Sequence, residues 1–358
     1  MTPHDRIHGV SAVVCNFNGE AYLADCLDSV LAQPGLGEVL VVDNASTDGS
    51  VALVRERYPT VAVIELARNG GPCVARNAGM RAARHRFVLA VDNDAVLAGD
   101  VLPKLRAALE ARRDACIAQV RSLVASEPDR VHYDGGSFHY AGLLSLRNFY
   151  RPLAAAEGEG VVDADALIGI CVLLDRDVVL SAGGYDEAFF YLAEDYELAW
   201  RLRVLGERLL SVEDALVRHR GGTEGLSFRG GGYPAQRAYL HARNRWWILA
   251  QGYAARTLLV ILPGLLLYEL VWLLFVLRKG HFGEHLRGKR DFLRSLPRVL
   301  AHRQALQRSR RVRDRELLVG GPLTLSPSLV ASGPARVAAR ALDAALRAWW
   351  WVARPFAG

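Results

Sequence analysis

FVLAVDNDA, residues 87–95, is an apolar run of strand length that ends in two carboxylates flanking an asparagine. Phe87–Val91 is continuously apolar rather than alternating, the pattern of a strand buried on both faces. Working back toward the N-terminus, similar runs occur at Val10–Val14, Val39–Val42 and Val61–Leu66. Between them lie Ala21–Leu31, Ser50–Tyr58 and Pro72–Arg84, each with amphipathic helical spacing. Asp48 can cap the second of these helices, and Pro72 suits the first turn of the third. Strand–helix alternation predicts a parallel sheet with right-handed crossovers and helices on both faces. In such a sheet ligands bind beyond the carboxyl ends of the strands.

Polar residues fall at those ends. The four runs lead into Cys15-Asn16-Phe17-Asn18, Asp43-Asn44, Arg68-Asn69-Gly70-Gly71 and Asp92-Asn93-Asp94. Each alone is ordinary turn chemistry; four in succession predict one shared site. Two carboxylates flanking one residue can face a hard divalent cation through oxygen, and such a cation neutralises a diphosphate. A D-x-D triplet alone serves equally well as a surface turn.

Downstream, GGYDEAFFYLAEDYELAWRLRVLGERL (183–209) places Glu194-Asp195 at the start of an amphipathic helix. Carboxylates there are favoured by the helix dipole, which makes them a simple charged cap. The functional reading is a general base, with Phe189, Phe190 and Tyr191 shaping an acceptor pocket. His219 follows the short apolar run Ala215–Val217 and precedes Gly221-Gly222, a position that suits a third metal ligand. Of the glycine-rich loops in this half, Gly230-Gly231-Gly232 is a candidate flap over the site.

The order Asn16-Phe17-Asn18-Gly19, VVDNASTDGS (41–50), RNGGPCVARNAGM (68–80), VDNDA (91–95), the Glu194-Asp195 helix and then His219 resembles glycosyltransferase family 2, over about residues 8–250. The resemblance implies a GT-A fold: α/β, a Rossmann-like, mostly parallel sheet with flanking helices. It also implies a nucleotide-sugar donor (dTDP-, UDP- or GDP-linked), Mn²⁺ or Mg²⁺, and inversion at the anomeric carbon. Laid on this chain, Asp43 would bond the nucleobase and the backbone of Val14–Asn16 would cradle it. Asn69, Arg76 and Asn77 would line the ribose and diphosphate, with Asn93 beside them. Asp94 and His219 would ligate the metal, Asp92 would sit at the ribose or the metal, and Asp195 would be the catalytic base. An inverting displacement needs a base for the acceptor hydroxyl and charge stabilisation on the leaving diphosphate, and nothing more. Processive members carry Q-x-x-R-W; here Ala242 stands where the glutamine would precede Arg245-Trp246, so transfer of one or a few sugars is expected. Bacterial surface-polysaccharide enzymes of the rhamnosyltransferase kind are the expected likeness, with a lipid-linked or surface glycan as acceptor. An inactive GT-A scaffold or sugar-binding subunit is the alternative from another class. A sugar-nucleotide-forming enzyme would need an arginine-containing glycine loop after the first strand, and a dinucleotide oxidoreductase a G-x-G-x-x-G there; both are absent.

The 358 residues suffice for one large catalytic domain and an appendage. The expected division is 1–235 catalytic and 236–358 helical and membrane-associating. Thirteen Lys and Arg face three acids between Arg278 and Arg315, an excess of ten against +6 for the whole chain, so the remainder is mildly acidic. A basic block beside an apolar segment points to an anionic membrane surface and not to nucleic acid. Leu258–Leu277 is long enough to span a bilayer but contains Glu269, so it either spans or lies in the interface. Trp349-Trp350-Trp351 near the end either meets headgroups or packs on the protein. Five scattered cysteines without a C-x-x-C pair, and no charged-then-apolar leader, fit a reducing compartment; the expected location is the cytoplasmic face of the bacterial inner membrane.

Overall fold

In the computed structural model, which describes residues 9–221, 226 and 232–358, the four apolar runs become β1 (Val10–Asn16), β2 (Leu36–Asp43), β3 (Ala62–Glu65) and β4 (Phe87–Asp92). Between them run α1 (Leu23–Leu31), α2 (Ser50–Arg57) and α3 (Pro72–Ala82). The strands lie in the order β4-β1-β2-β3, all parallel. The register pairs Asn16 with Asp43 and Cys15 with Asp92, so the polar strand ends meet at one edge. Val13, Val14, Leu89 and Val91 are buried, as unbroken apolar runs require. Helix α1 buries Leu23, Cys26, Leu27 and Val30, a stripe at three- and four-residue spacing. Pro72 opens α3 as expected. Gly49 is the N-cap of α2, and the Asp48 carboxylate one residue earlier accepts from the Ser50 N–H at 3.1 Å.

The chain continues through β5 (Ala95–Leu97), α4 (Val101–Ala111), β6 (Ala115–Val124), β7 (Glu127–Tyr133), β8 (Gly136–His139), β9 (Leu143–Leu146), β10 (Val161–Ala164), β11 (Cys171–Asp175), α5 (Arg176–Ser181), α6 (Glu194–Val204) and β12 (Arg208–His219). Here the sheet becomes mixed. Strand β11 runs antiparallel between β4 and β6, and β12 lies parallel to β6. The short β5 pairs antiparallel with the end of β12, setting Ala95 opposite His219. That register carries the histidine to the end of β4. Residues 9–135, with 148–198 and 207–221, form the first of two compact units, which holds this ten-stranded sheet.

The second unit comprises, among the described residues, 136–147, 199–206, 226 and 232–358. Its helices are α7 (Ala235–Gly252), α8 (Ala255–Arg278), α9 (Phe282–Arg294), α10 (Leu296–Ser309), α11 (Asp314–Leu317) and α12 (Gly333–Ala353). A small sheet orders β13 (Leu318–Val319), β8 and β9. Glu269, the carboxylate inside the apolar stretch, is answered from within the unit. Arg245 and Lys289 pair with it, and Trp246 Nε1 donates to it at 2.8 Å. Arg245 also donates to the Ala141 carbonyl at 2.6 Å and lies over the Tyr268 ring. The three tryptophans divide. Trp350 is buried and stacked on Tyr140, Trp349 donates to the Val260 carbonyl, and Trp351 is 82% exposed. The expected flap, Gly230-Gly231-Gly232, lies outside the described residues except for its last glycine.

Candidate active site

The loops after β1, β2 and β4 are tied together by side chains of the first unit. Asn16 Nδ2 donates to Asp43 Oδ1 at 2.8 Å, and its Oδ1 accepts from Asn93 Nδ2 at 2.8 Å. Asp43 also accepts from the Ser46 N–H and hydroxyl, at 2.9 and 2.6 Å. Asn18 Oδ1 accepts from the Thr47 N–H, closing the first loop on the second. Gly19 is required here, because a Cβ would sit 2.2 Å from both Asn16 Oδ1 and Asn93 Nδ2. After β3, Asn69 Oδ1 accepts from the Gly71 N–H and Asn44 Oδ1 from the Gly70 N–H, each at 2.9 Å. These bonds fix the backbone that leads into α3.

Helix α3 supplies Arg76, which is buried at the centre of a carboxylate cluster. Its guanidinium donates to Asp92 at 2.9 Å, to Asp195 at 3.2 Å and to the Gly169 carbonyl at 2.9 Å, with Glu194 4.0 Å away. The Gly169 N–H donates to the other oxygen of Asp195 at 2.8 Å. The Tyr185 ring lies 5.1 Å under the guanidinium. Asn77, on the next residue of α3, bonds both the N–H and the carbonyl of Tyr185 and pins that loop. Burial, with Asp195 alongside, pushes the Glu194 carboxyl up to about 8. Burial also raises Asp92, an effect opposed by the Arg76 charge.

Phe190, Leu192 and Ala193, immediately before Glu194, have φ of 64°, 69° and 75°. Three non-glycine residues in left-handed conformation are backbone strain, held where the helix must start. Phe189 is buried in the unit, whereas Phe190 and Tyr191 are half-buried.

Asp92, Asp94 and His219 each offer a ligand atom, all within 4.8 Å of one another. His219 Nε2 stands 3.2 Å from Asp94 Oδ1, and among the described residues this buried nitrogen has no hydrogen-bond partner. Two carboxylates and an imidazole with a vacant nitrogen fit a divalent cation of the Mn²⁺ or Mg²⁺ kind. Behind His219, His132 Nδ1 lies 3.1 Å from His219 Nδ1 and the two rings stack. Burial pushes His132 down to about 3, so it is neutral. The sequence reading named neither His132 nor Tyr185 nor Gly169. The last two are ordinary loop residues in sequence, and His132 is one histidine on a strand whose pairing alone brings it here.

A family model described as Glycosyl transferase family 2 matches residues 11–166. The succinoglycan biosynthesis protein ExoO of Rhizobium meliloti (strain 1021) is 39% identical over 153 residues, covering 41% of this chain and 42% of that protein. The chain's match thus spans less than half of ExoO. An N-acetylglucosaminyltransferase of Bradyrhizobium sp. (strain ANU 289) is 36% identical over 103 residues, 27% of this chain and 67% of that protein. Among solved structures, GalNAc-T7 with UDP, GalNAc and Mn²⁺ aligns with a TM-score of 0.52 at 18% identity, over 66% of this chain and 50% of that one. That likeness shows a shared fold.

Proposed function

The chain belongs to glycosyl transferase family 2, and from that premise we propose that it transfers a sugar from a nucleoside-diphosphate donor to a hydroxyl of a lipid-linked or surface glycan, with inversion and with a divalent metal. The observation that carries this reading is the single guanidinium of Arg76, bonded at once to Asp92 beside the metal-ligand cluster and to Asp195. Donor and acceptor chemistry thereby meet at one point of the sheet edge.

Asp94 and His219 would hold the metal, with Asp92 beside them as a further ligand or neighbour. When bound, the cation supplies charge neutralisation to the departing diphosphate. The remaining work falls to the chain. Asp43 accepts an N–H of the base; it already accepts from Asn16 and Ser46, and a carboxylate has lone pairs to spare. Asn69 and the backbone it fixes line the diphosphate side, with Asn93 held toward the donor by Asn16. Asn77 acts through the Tyr185 loop, and Arg76 acts by fixing Asp92 and Asp195. Asp195 takes the proton of the acceptor hydroxyl, its carboxylate aimed by the Gly169 N–H. Displacement then proceeds without a covalent enzyme intermediate.

The donor is UDP-, GDP- or dTDP-linked, dTDP-rhamnose among the candidates. Transfer is non-processive: Arg245 and Trp246 are committed to Glu269, and Ala242 carries no hydrogen-bonding side chain. The chain acts at the cytoplasmic face of the bacterial inner membrane, with 1–235 as the catalytic region and 236–358 as the membrane-associating one. Asp195→Asn tests the assignment. Transfer should be abolished while nucleotide affinity stays within a few-fold of the parent. Loss of nucleotide affinity would remove Asp195 from the role of base. A parent protein that binds nucleotide sugars with Mn²⁺ but turns none over would instead be the inactive scaffold.

A further inference from the structure

Helix α8 is long and apolar enough to cross a membrane by composition alone. Its 24 residues extend about 36 Å. Its two faces differ, however. Leu259, Leu262, Leu266, Leu270, Leu274 and Leu277 recur at three- and four-residue spacing and are all exposed, Leu259 to 72%. The opposite face, from Thr257 through Gly264 and Tyr268 to Val276, is buried within the second unit.

What covers the buried face combines aromatic and apolar side chains, such as Tyr233 on Trp272 and Phe275, with polar and charged partners. The C-terminal Gly358 N–H donates to Thr257 at 3.0 Å, and Tyr140 lies so close that a Cβ on Gly264 would be 2.3 Å from its hydroxyl. Further along, Tyr268 bonds His241 at 3.2 Å, and Glu269 pairs with Arg245 and Lys289. These partners ride on α7 and α9, which also carry Arg243, Arg287, Arg290 and Arg294. A spanning α8 would draw this charged company into hydrocarbon at mid-depth, where Arg and Lys are rare and costly. The flanks suit a different placement. Arg256 stands exposed at one end of the leucine row, with Arg278 and Lys279 at the other.

We propose that α8 lies in the plane of an anionic phospholipid bilayer, its leucine row sunk into the acyl boundary and its basic ends on headgroup phosphates. One apolar face with cations at its margins is the arrangement that binds such a surface. The proposal rests on the membrane association proposed above and is independent of the sugar chemistry.

The test uses the full chain carrying an environment-sensitive fluorophore on Leu259→Cys or on Leu277→Cys. It is mixed with phosphatidylcholine vesicles with and without phosphatidylglycerol, with nucleotide-diphosphate binding followed in parallel. Both labels should brighten on anionic vesicles, and both should be bleached by a membrane-impermeant reductant added outside. Affinity should fall at least about tenfold without phosphatidylglycerol, and likewise in a Leu266→Asp/Leu270→Asp variant that still binds nucleotide. Arg256→Gln/Lys279→Gln provides a milder variant if the first does not fold, and it too should weaken binding to anionic vesicles. One label protected from the reductant would establish a span and overturn the proposal. No brightening at all, with a chain that sediments as a dimer, would make the leucine row a protein interface and overturn it too. Loss of nucleotide binding with vesicle binding intact would count against the donor site alone.

Discussion

Replacing His132 by leucine should weaken metal binding without any change to a metal ligand. If His219 coordinates through Nε2, its proton must sit on Nδ1, and the acceptor 3.1 Å from that nitrogen is His132 Nδ1. His132 is therefore the group that holds the ligand in the coordinating tautomer. Leucine leaves the His219 N–H buried and unpaired, at a cost of about 1–3 kcal/mol. At 1.36 kcal/mol per factor of ten, that corresponds to roughly 5–150-fold weaker Mn²⁺ binding. Asparagine places an amide oxygen near the position of Nδ1 and should restore affinity to within a few-fold of the parent. Free Mn²⁺ is counted by electron paramagnetic resonance during titration of each protein at saturating nucleoside diphosphate, so the readout does not depend on turnover. Parental affinity in His132→Leu would refute the argument. Equal weakness in His132→Leu and His132→Asn would show that ring stacking matters and the hydrogen bond does not.

Asp94→Ala should make nucleoside-diphosphate binding insensitive to Mn²⁺, and a metal dependence that survives in calorimetry would end its assignment as ligand. Glu194 has a folded-state pKa raised above its ordinary value of 4.5 to about 8, so its contribution to stability is present below pH 4.5 and lost as pH rises through about 8. Glu194→Gln should accordingly flatten the fall of Tm between those values and raise Tm at the alkaline end; parallel Tm–pH curves for the two proteins would contradict the burial argument. Gly71 has φ of 83°, and a Cβ there would lie 2.2 Å from the Phe190 carbonyl oxygen. Gly71→Ala should cost about 1–3 kcal/mol in chemical denaturation and reduce transfer, whereas a neutral result would mean that the strained Phe190 loop moves freely.

The parallel half of the sheet was legible because β1, β2 and β4 carry buried, unbroken apolar runs and α1 a buried stripe at helical spacing, whereas β3, exposed at Ala62 and Glu65, and α2, which buries only Ser50 and Val54, carry weaker patterns. The antiparallel half was not. Strand β5 is three residues long, too short to carry a pattern, yet it is the strand that sets His219 beside Asp94. His219 could be suspected from its place after an apolar run and before glycines, but its partner His132 depends on β6, β7 and β12 lying side by side, which no local signal encodes. In the tail, apolar composition marked α8 and left Glu269 as an objection to a span. Its partners Arg245 and Lys289 reach it from two other helices, a pairing that no local sequence signal encodes.

The carboxylates around Arg76 compete for a single guanidinium. Asp92, Glu194 and Asp195 crowd one buried region, where each added negative charge raises the cost of the next. One guanidinium cannot serve three carboxylates equally. Its nitrogens contact Asp92 at 2.9 Å and Asp195 at 3.2 Å, while Glu194 is left at 4.0 Å, and Glu194 is the group whose carboxyl is driven up to about 8. Arg76 thus bonds Asp92 and Asp195 directly and leaves Glu194, whose carboxyl is raised by burial and by the neighbouring Asp195, at the edge of its reach. The two bonds depend on a fork of fixed geometry, since a lysine ammonium would present a single point charge to the same crowd. An arginine on the first helix after the third strand therefore fixes the position of Asp195, the base in the proposed reaction. It does so from a position where it also holds the aspartate at the edge of the metal cluster.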